Sequence, residues 1–546
     1  MKKKVLKHLF SMIPRTTIQR SVFDRSHTYK TTFNAGYLVP IFVDEVLPGD
    51  SFKVDLSFLC RLATPIAPIM DDIFIDTFFF AVPMRLIWKH WQQFMGQEDY
   101  PGASTDYLVP QTTAPSGGWP VGSFEDYVGL PTGISGLKAN ETFARAYALI
   151  WNEWFRDENL QNPINLSSWQ EITSPSDLDD TGVGDAGFEG THNLLRRGKR
   201  HDYFTSALPW PQKGPGVGIS LTGDAPVYGD GTNPFTLSYN GSPTGLVAAA
   251  QKRGSVGWDG RFLGTGSDGS GTQLTVGDKG SGISSGMIAD LSNVSAITIN
   301  SLRQAFQLQR LAERDARGGT RYTEILRAHF NVVSPDSRLQ RPEYLGGSEA
   351  RLIVNPVVQQ SATATGGSPQ GNLAAFGLCA SSGHGFTKSF VEHSVIIGLV
   401  NVRAPLSYQQ GINRMFSRRT RYDFYWPVLA HLGEQEILNK EIYAQGTADD
   451  DKVFGYQERY AEYRYYPNQI TGEFRSTYAQ SLDYWHLAQK FDSLPTLSKQ
   501  FIQDNPPIER VLAVQNEPQF IFDSLIGMKC ARPMPVYGVP GLVDHF

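Results

Sequence analysis

The clearest pattern along the chain is a strict alternation of apolar and polar residues between Ser51 and Leu62. From Phe52 onward every second residue of this segment is apolar, and the residues between are polar or charged, with Leu59 as the exception. A period of two residues is typical of a half-buried antiparallel strand. The preceding residues 47–50 have proline and glycine at their central positions, which predicts a type II turn from an earlier strand.

Further strands are predicted where short apolar or alternating runs are bounded by turn-forming residues. They lie at Gly36–Val46, Asp72–Val82, Ala350–Gln359, His393–Arg403, Arg421–Trp426, Tyr460–Tyr466 and Glu509–Val514. Helical periodicity predicts three helices, at Leu86–Met95, Asn140–Asp157 and Ser301–Arg317, with Asn140 as an N-cap and Ser301 with Gln304 at capping-box spacing. Many strands, few helices and abundant glycine (53) and proline (33) favour an all-β fold with long loops.

Residues 214–286 interrupt this pattern, because they are rich in glycine and show little apolar periodicity. A loop of this length within a compact domain is usually functional or disordered. Since strand-rich sequence lies on both sides, we predict an insertion into one fold. Its large apolar side chains are few, and Trp258 and Phe262 are among them.

Positive charge is concentrated at the N-terminus. Residues 1–30 contain eight cationic side chains and one acidic side chain, whereas the whole chain has a net charge of −5. A basic arm on an acidic body indicates a polyanionic partner at one face. The arm residues that we predict to bind such a polyanion, with nucleic acid as one candidate, are Lys2, Lys3, Lys4, Lys7 and Arg15.

Targeting, metal and catalytic patterns are weak in this sequence. Lys7 and His8 interrupt the apolar run near the N-terminus, so we expect no signal peptide, and no apolar run reaches the roughly 18 residues of a membrane helix. The three cysteines are widely separated and predict buried thiols. The acidic run Asp449–Asp451 lacks the spacing of a calcium loop and predicts a turn. We therefore expect no metal, no cofactor and no enzymatic activity.

Two segments combine arginine with aromatic residues, at residues 196–204 and 414–426. Cations that hold a phosphate backbone and rings that stack on bases are typical of single-stranded nucleic-acid binding. Arginine, tyrosine and tryptophan are also enriched in subunit interfaces, so both readings stay open. In the second segment the candidate nucleic-acid-binding residues are Arg414, Arg418, Arg419, Arg421 and Trp426.

The segment Val453–Ser476 interleaves tyrosines with charged residues. Tyrosine rings cover apolar area while they keep a hydroxyl group for a partner, and charges between them can fix the register of a contact. The pattern predicts a surface that contacts protein or nucleic acid, and the residues that would form a subunit interface there are Tyr456, Tyr460, Tyr463, Arg464 and Tyr465.

Several of these segments together resemble the major capsid proteins of the Microviridae, in the gokushovirus branch of small icosahedral single-stranded DNA phages. The matching stretches are Phe23–Asp50, Arg196–Gly214, Ser334–Gly347, Tyr456–Ser476 and Pro535–Phe546. The resemblance spans nearly the whole chain and is weakest in the glycine-rich insertion.

The resemblance implies an eight-stranded antiparallel jelly roll with long loop and helix insertions. It implies a T=1 icosahedral shell around circular single-stranded DNA, with an insertion that forms threefold protrusions for host attachment. The implied division is a basic arm (1–33), a first part of the jelly roll with helical insertions (34–213), the protruding insertion (214–286), and a second part with a C-terminal arm (287–546).

The partners implied are further copies of the chain, the single-stranded DNA genome, internal scaffolding and DNA pilot proteins, and a host-cell surface receptor. The implied location is the virion, assembled in the cytoplasm of the host bacterium. Two other classes stay open on the sequence alone. One is a carbohydrate-binding or carbohydrate-active β-sandwich, since tyrosine and tryptophan are frequent; the other is an outer-membrane barrel, against which the expected lack of a signal peptide counts.

Overall fold

A computed structural model describes residues 18–167, 169–171, 190–218, 299–360 and 371–537, together with the backbone of five short strands between 227 and 289. The chain divides into two compact units. One contains residues 1–213 and 313–546, and the other contains Gly214–Ala312. The predicted site residues Lys2, Lys3, Lys4, Lys7, Arg15, Trp258 and Phe262 lie outside the described residues.

Strands account for most of the regular structure of the larger unit. In chain order the described strands are β1 (Ser21–Asp24), β2 (His27–Phe33), β3 (Val39–Val46), β4 (Ser51–Leu62), β5 (Ile73–Pro83), β6 (Gln111–Thr113), β7 (Lys138–Asn140), β8 (Val227–Gly229), β9 (Thr236–Tyr239), β10 (Ser242–Val247), β11 (Leu274–Val276), β12 (Met287–Ala289), β13 (Glu343–Val358), β14 (Leu373–Ser389), β15 (Ser394–Arg403), β16 (Ser407–Tyr408), β17 (Glu434–Leu438), β18 (Val453–Glu458), β19 (Asn468–Gln469) and β20 (Phe520–Arg532). The smaller unit contains β8 to β12, which form a three-stranded and a two-stranded sheet.

Most helices are short. They are α1 (Met84–Ile87), α2 (Trp91–Phe94), α3 (Phe124–Tyr127), α4 (Thr142–Ile150), α5 (Ile299–Gly318), α6 (Tyr322–Phe330), α7 (Asn439–Ile442) and α8 (Lys499–Ile502). A π-helical turn, Trp151–Phe155, continues α4.

One nine-stranded antiparallel sheet organises the larger unit, in the order β1-β20-β4-β14-β13-β5-β15-β3, with β2 also paired to β20. The long strands β13 and β14 pair through residues 353–358 and 373–378. The rest of β13 pairs with β5, and the rest of β14 pairs with β4. The sheet therefore curls into two halves, β2-β20-β4-β14 and β3-β15-β5-β13.

The two halves enclose one apolar core. Phe52 to Leu62 of β4 bury every second side chain, as the alternation predicted, and Phe58 stacks on Phe522 of β20 at 5.2 Å between ring centroids. Side chains of β5 and β15, such as Phe79 and Val400, belong to the same core. Burial of one such side chain stabilises the fold by roughly 1.5–3 kcal/mol.

The strand β15 is buried on both faces, which its uninterrupted apolar sequence reflects. Its second face packs on α4, where Tyr147 is fully buried and its hydroxyl group donates a hydrogen bond to the Leu38 carbonyl oxygen at 2.7 Å. The aromatic side chains that predicted a helix between Asn140 and Asp157 belong to the cluster that packs on β15. The predicted N-cap at Asn140 is wrong, because α4 begins at Thr142 and Glu141 occupies the N-cap position without a side-chain cap. Asn140 ends β7 and accepts a hydrogen bond from the Thr142 backbone N–H at 2.9 Å.

The type II turn predicted at residues 47–50, just before β4, is confirmed. Gly49 has a φ of 91°, and the Asp50 N–H donates to the Leu47 carbonyl oxygen at 3.0 Å. Positive φ at the third position is the property for which a type II turn selects glycine. Cys60, Cys379 and Cys530 are buried free thiols, also as predicted.

Several predicted elements were wrong. The predicted strands Arg421–Trp426, Tyr460–Tyr466 and Glu509–Val514 form short 3₁₀ turns instead. In the second of these, Tyr460 has a φ of 63°, a left-handed conformation that ends β18. Apolar composition alone could not distinguish these aromatic turns from strands.

The helix boundaries also differed from prediction. Leu86–Met95 divides into α1 and α2. The predicted capping box at Ser301 is wrong because α5 begins earlier, at Ile299. The strand β20 was missed, although its buried positions alternate as regularly as those of β4.

Candidate subunit interface

The fold joins two segments that lie apart in the sequence, residues 414–426 and the tyrosine-rich segment after β18. The rings of Tyr425, Tyr460 and Tyr463 form a cluster with centroids 5.1–6.1 Å apart. The Tyr425 backbone N–H donates to the Tyr463 hydroxyl oxygen at 3.2 Å. The Arg418 guanidinium lies 4.2 Å from the Tyr463 ring centroid. The two segments are separate contact candidates in the sequence, and the fold brings them together.

The tyrosines of this cluster have different exposures. Tyr460 is buried, with 4% of its surface accessible, whereas Tyr463 and Tyr465 are about half exposed at 49% and 50%. Tyr456 lies in β18, and its backbone exchanges two hydrogen bonds of 2.8 Å with Leu208. Tyr456 and Tyr460 therefore hold the segment in place, while Tyr463 and Tyr465 face solvent.

Two arginines that were predicted to bind nucleic acid are occupied within the chain. Arg414 pairs with Glu441 at 2.8 Å, and Arg418 pairs with Glu462 at 3.3 Å. Both carboxylates are buried, and burial raises the pKa of Glu441 above its ordinary value while Arg414 opposes that shift. Since a buried carboxylate needs a partner, Arg414 and Arg418 stabilise the loop rather than offer a free charge.

The other residues of this segment keep an exposed surface. Arg421 lies over the Trp426 ring at 4.6 Å, and the Trp426 indole N–H donates to the Arg421 carbonyl oxygen at 2.9 Å. Trp426 is 39% exposed and is not a core residue. The Arg419 N–H donates to Asp423 at 2.8 Å, which fixes the start of the turn.

Together these segments carry a set of exposed side chains, which we call the aromatic–arginine surface. Its exposed residues are Arg421, Tyr422, Phe424, Tyr425, Trp426, Tyr463 and Tyr465. The largely enclosed Arg418 supports them through contacts with the Phe424 and Tyr463 rings. Contiguous exposed apolar patches of this kind mark interaction sites. Arginine, tyrosine and tryptophan are also the residue types that dominate binding energy in protein interfaces.

The arginines at 196–200 have a different role, because they are engaged inside the fold. Arg196 lies over the Tyr37 ring at 4.0 Å, and Arg197 pairs with the buried Asp76. The Lys199 ammonium group donates to Gln489 Oε1 at 3.0 Å and lies over Phe501. These contacts attach the segment to the sheet. They account for its arginines and aromatic residues without nucleic-acid binding or contact with another subunit.

The described residues contain no group of three or more side chains arranged to hold a metal ion. Asp449 and Asp451 form ion pairs of 2.6 Å with Lys452 and Lys440 in a short turn. In the same described part of the chain, no helix is both long and apolar enough to cross a membrane.

Comparison with known proteins gives similarity over almost the full length. The family model for "Capsid protein (F protein)" matches residues 11–542. The capsid protein VP1 of Chlamydia phage 1 is 48% identical over 592 aligned positions, which cover 98% of each chain. The capsid protein VP1 of Spiroplasma virus 4 is 39% identical over 566 positions, which cover 99% of this chain and 100% of that protein.

Proposed function

The chain belongs to the capsid protein (F protein) family, in the gokushovirus branch of the Microviridae, and from this premise we propose that it builds a T=1 icosahedral shell around circular single-stranded DNA. The observation that carries the proposal is the family match over residues 11–542. Membership of this family indicates a structural, non-enzymatic protein of the virion. A carbohydrate-active β-sandwich is therefore not retained as an alternative.

The strand pairing supports a jelly roll. The first four long strands, β2 to β5, pair in reverse order with the last four, as β2·β20, β3·β15, β4·β14 and β5·β13. The pairs β20·β4 and β15·β5 then complete two four-stranded halves. An antiparallel ribbon rolled in this way is the viral jelly-roll arrangement, with two Greek keys and eight strands.

We assign the aromatic–arginine surface to contact between subunits. Its rings are exposed in the single chain although they carry large apolar area, and assembly would cover them. Obligate interfaces bury on the order of 2,000 Å² or more, so several such surfaces are needed for each subunit. Tyr463, Tyr465 and Trp426 are the central candidates.

The remaining roles follow from the family resemblance. The basic residues Lys2, Lys3, Lys4, Lys7 and Arg15 face the interior and contact DNA, whereas residues 21–33 contribute β1 and β2 to the main sheet and are no longer counted with the arm. Residues 214–286 form the threefold protrusion, with Trp258 and Phe262 at contacts between copies. This protrusion attaches to a host receptor, and internal scaffolding and DNA pilot proteins act in the host cytoplasm during assembly. The chain has a second compact unit at Gly214–Ala312, which supports an insertion that folds apart from the main sheet.

The double substitution Tyr463→Ala and Tyr465→Ala tests the assembly surface. We expect a folded protein that fails to form shells in sedimentation and electron microscopy, because two half-exposed rings that assembly would cover are lost. The matched control is Tyr100→Ala with Tyr478→Ala, two exposed tyrosines outside this surface. Normal shells from the first variant would refute the interface assignment.

A further inference from the structure

A cleft of about 1190 Å³ lies in the larger unit, and none of its lining residues belongs to the aromatic–arginine surface. Its walls are the end of α5, the helix α6, residues 154–160 and residues 197–208, and β5 and β13 contribute rings to it. Small-molecule sites are usually about 300–1,000 Å³. The cleft is therefore large enough for an extended ligand.

Cationic side chains outnumber carboxylates along the cleft, eight to four. Most of these cations are paired: Arg197 and Arg403 share Asp76, and Arg321 contacts both Glu158 and Glu324. Arg200 pairs with Glu349, and Arg317 pairs with Glu434 and Glu458. These pairs shape the cleft without leaving charge for a ligand.

Two arginines are different. Arg327 is exposed on α6 and forms no ion pair within the described residues. Arg156 donates from Nη1 to the Gln161 carbonyl oxygen at 2.9 Å, and within the described residues its guanidinium forms no ion pair, although it lines the cleft. A guanidinium that is not engaged in an ion pair is suited to a phosphate oxygen.

The same cleft contains an accessible aromatic ring. Tyr344 of β13 is 40% exposed, and its ring lies beside Phe80 at 5.5 Å and Trp154 at 5.9 Å. Trp154 is covered by Arg341 at 4.4 Å, so Tyr344 is the better placed ring for a ligand. Aromatic rings beside cations are the combination that binds single-stranded nucleic acid without sequence preference.

We propose that this cleft binds a short stretch of single-stranded DNA, with phosphates at Arg156 and Arg327 and a base stacked on Tyr344. The inference rests on the proposed function, in which the shell encloses a single-stranded genome. It assigns the DNA contact of the larger unit to this cleft instead of to Arg414 and Arg418, because buried glutamates compensate the charges of those two arginines.

The test measures binding of a fluorescent twelve-nucleotide oligo(dT) to the purified full-length chain by anisotropy across a range of NaCl concentrations. In Arg156→Gln with Arg327→Gln, the log–log salt slope should decrease by about 1.4, since each phosphate contact with a single strand contributes about 0.7. Tyr344→Leu should weaken binding roughly tenfold with little change in slope, because stacking is lost while the apolar contact remains.

The charge-matched control is Arg61→Gln with Arg338→Gln, two exposed arginines that do not line the cleft. Equal losses of affinity in both double variants would show general charge attraction and overturn the proposal. Competition by poly-glutamate as strong as that by unlabelled oligo(dT) would overturn it as well.

If a variant does not fold, hydrogen exchange measured on the unaltered protein decides the question. Addition of oligo(dT) should slow the exchange of backbone amides in residues 321–331, and unchanged exchange there would contradict the proposal. Unchanged oligo(dT) binding in variants that still form shells would refute DNA binding by the cleft and leave the proposed function intact. Failure of the unaltered protein to form shells would refute the proposed function itself.

Discussion

At the scale of single residues, a group of buried charges stands where residues 196–200 meet the sheet. Asp504 is 2% exposed, and burial raises the pKa of its carboxyl group to about 7, against the opposing influence of Arg403 and Lys199. Burial also lowers the pKa of Lys199 to about 8. By contrast, Arg197 and Arg403 act together against the effect of burial and hold the pKa of Asp76 below its ordinary value.

These pKa values predict how stability depends on pH. A carboxyl group whose pKa is raised in the folded state stabilises the fold when it is protonated, and this contribution is lost as the pH rises from about 4 to about 7. The unaltered protein should therefore lose on the order of a few kcal/mol in its free energy of unfolding as the pH rises through this interval, and Asp504→Asn should not. Lys199 has the opposite sign, since its lowered pKa makes stability rise with pH above about 8.

The measurement is the melting temperature of both proteins between pH 4 and pH 8. Asp492→Asn serves as the control because the Asp492 side chain is exposed. A constant difference in melting temperature between Asp504→Asn and the unaltered protein across this range would contradict the assignment.

At the scale of elements, β20 joins the two ends of the chain to the centre of the sheet, because it pairs with β1, β2 and β4. Phe522 of this strand is fully buried and contacts the rings of Phe58 and Phe33. Phe522→Ala should destabilise the fold by about 3–5 kcal/mol, through loss of apolar burial and creation of a cavity.

The neighbouring Ile521 gives a matched control on the same strand, since its side chain is 54% exposed on the opposite face. Ile521→Ala should change the free energy of unfolding by less than about 1 kcal/mol. Similar losses for the two variants in denaturant unfolding would show that the register of β20 is wrong.

At the scale of the whole molecule, we expect the insertion to be separable from shell assembly. Replacement of residues 214–286 by a short Gly/Ser linker should leave shells that assemble but adsorb poorly to host cells, because the main sheet is completed by strands outside this range. Electron microscopy and an adsorption assay measure the two outcomes. Loss of the shell would assign a structural role to the insertion, and unchanged adsorption would place the receptor contact elsewhere.

The sequence by itself determined the features that depend on neighbouring residues. The alternation of β4, the turn at Gly49, the buried length of β15 and the aromatic face of α4 could all be predicted, because a side-chain period or a backbone preference is a local property. The family resemblance likewise depended on local segments spread along the chain. Aromatic turns such as Tyr460–Tyr463 were misassigned because their composition equals that of strands.

Only the tertiary structure decided which charges are available. Arg414 and Arg418 have the composition of a nucleic-acid site, but Glu441 and Glu462, 27 and 44 residues away along the chain, compensate them. Arg156 and Arg327 attract no attention in the sequence and become candidates because the fold places both on one cleft. An ion pair depends on distances that topology sets, and no periodicity along the chain encodes those distances.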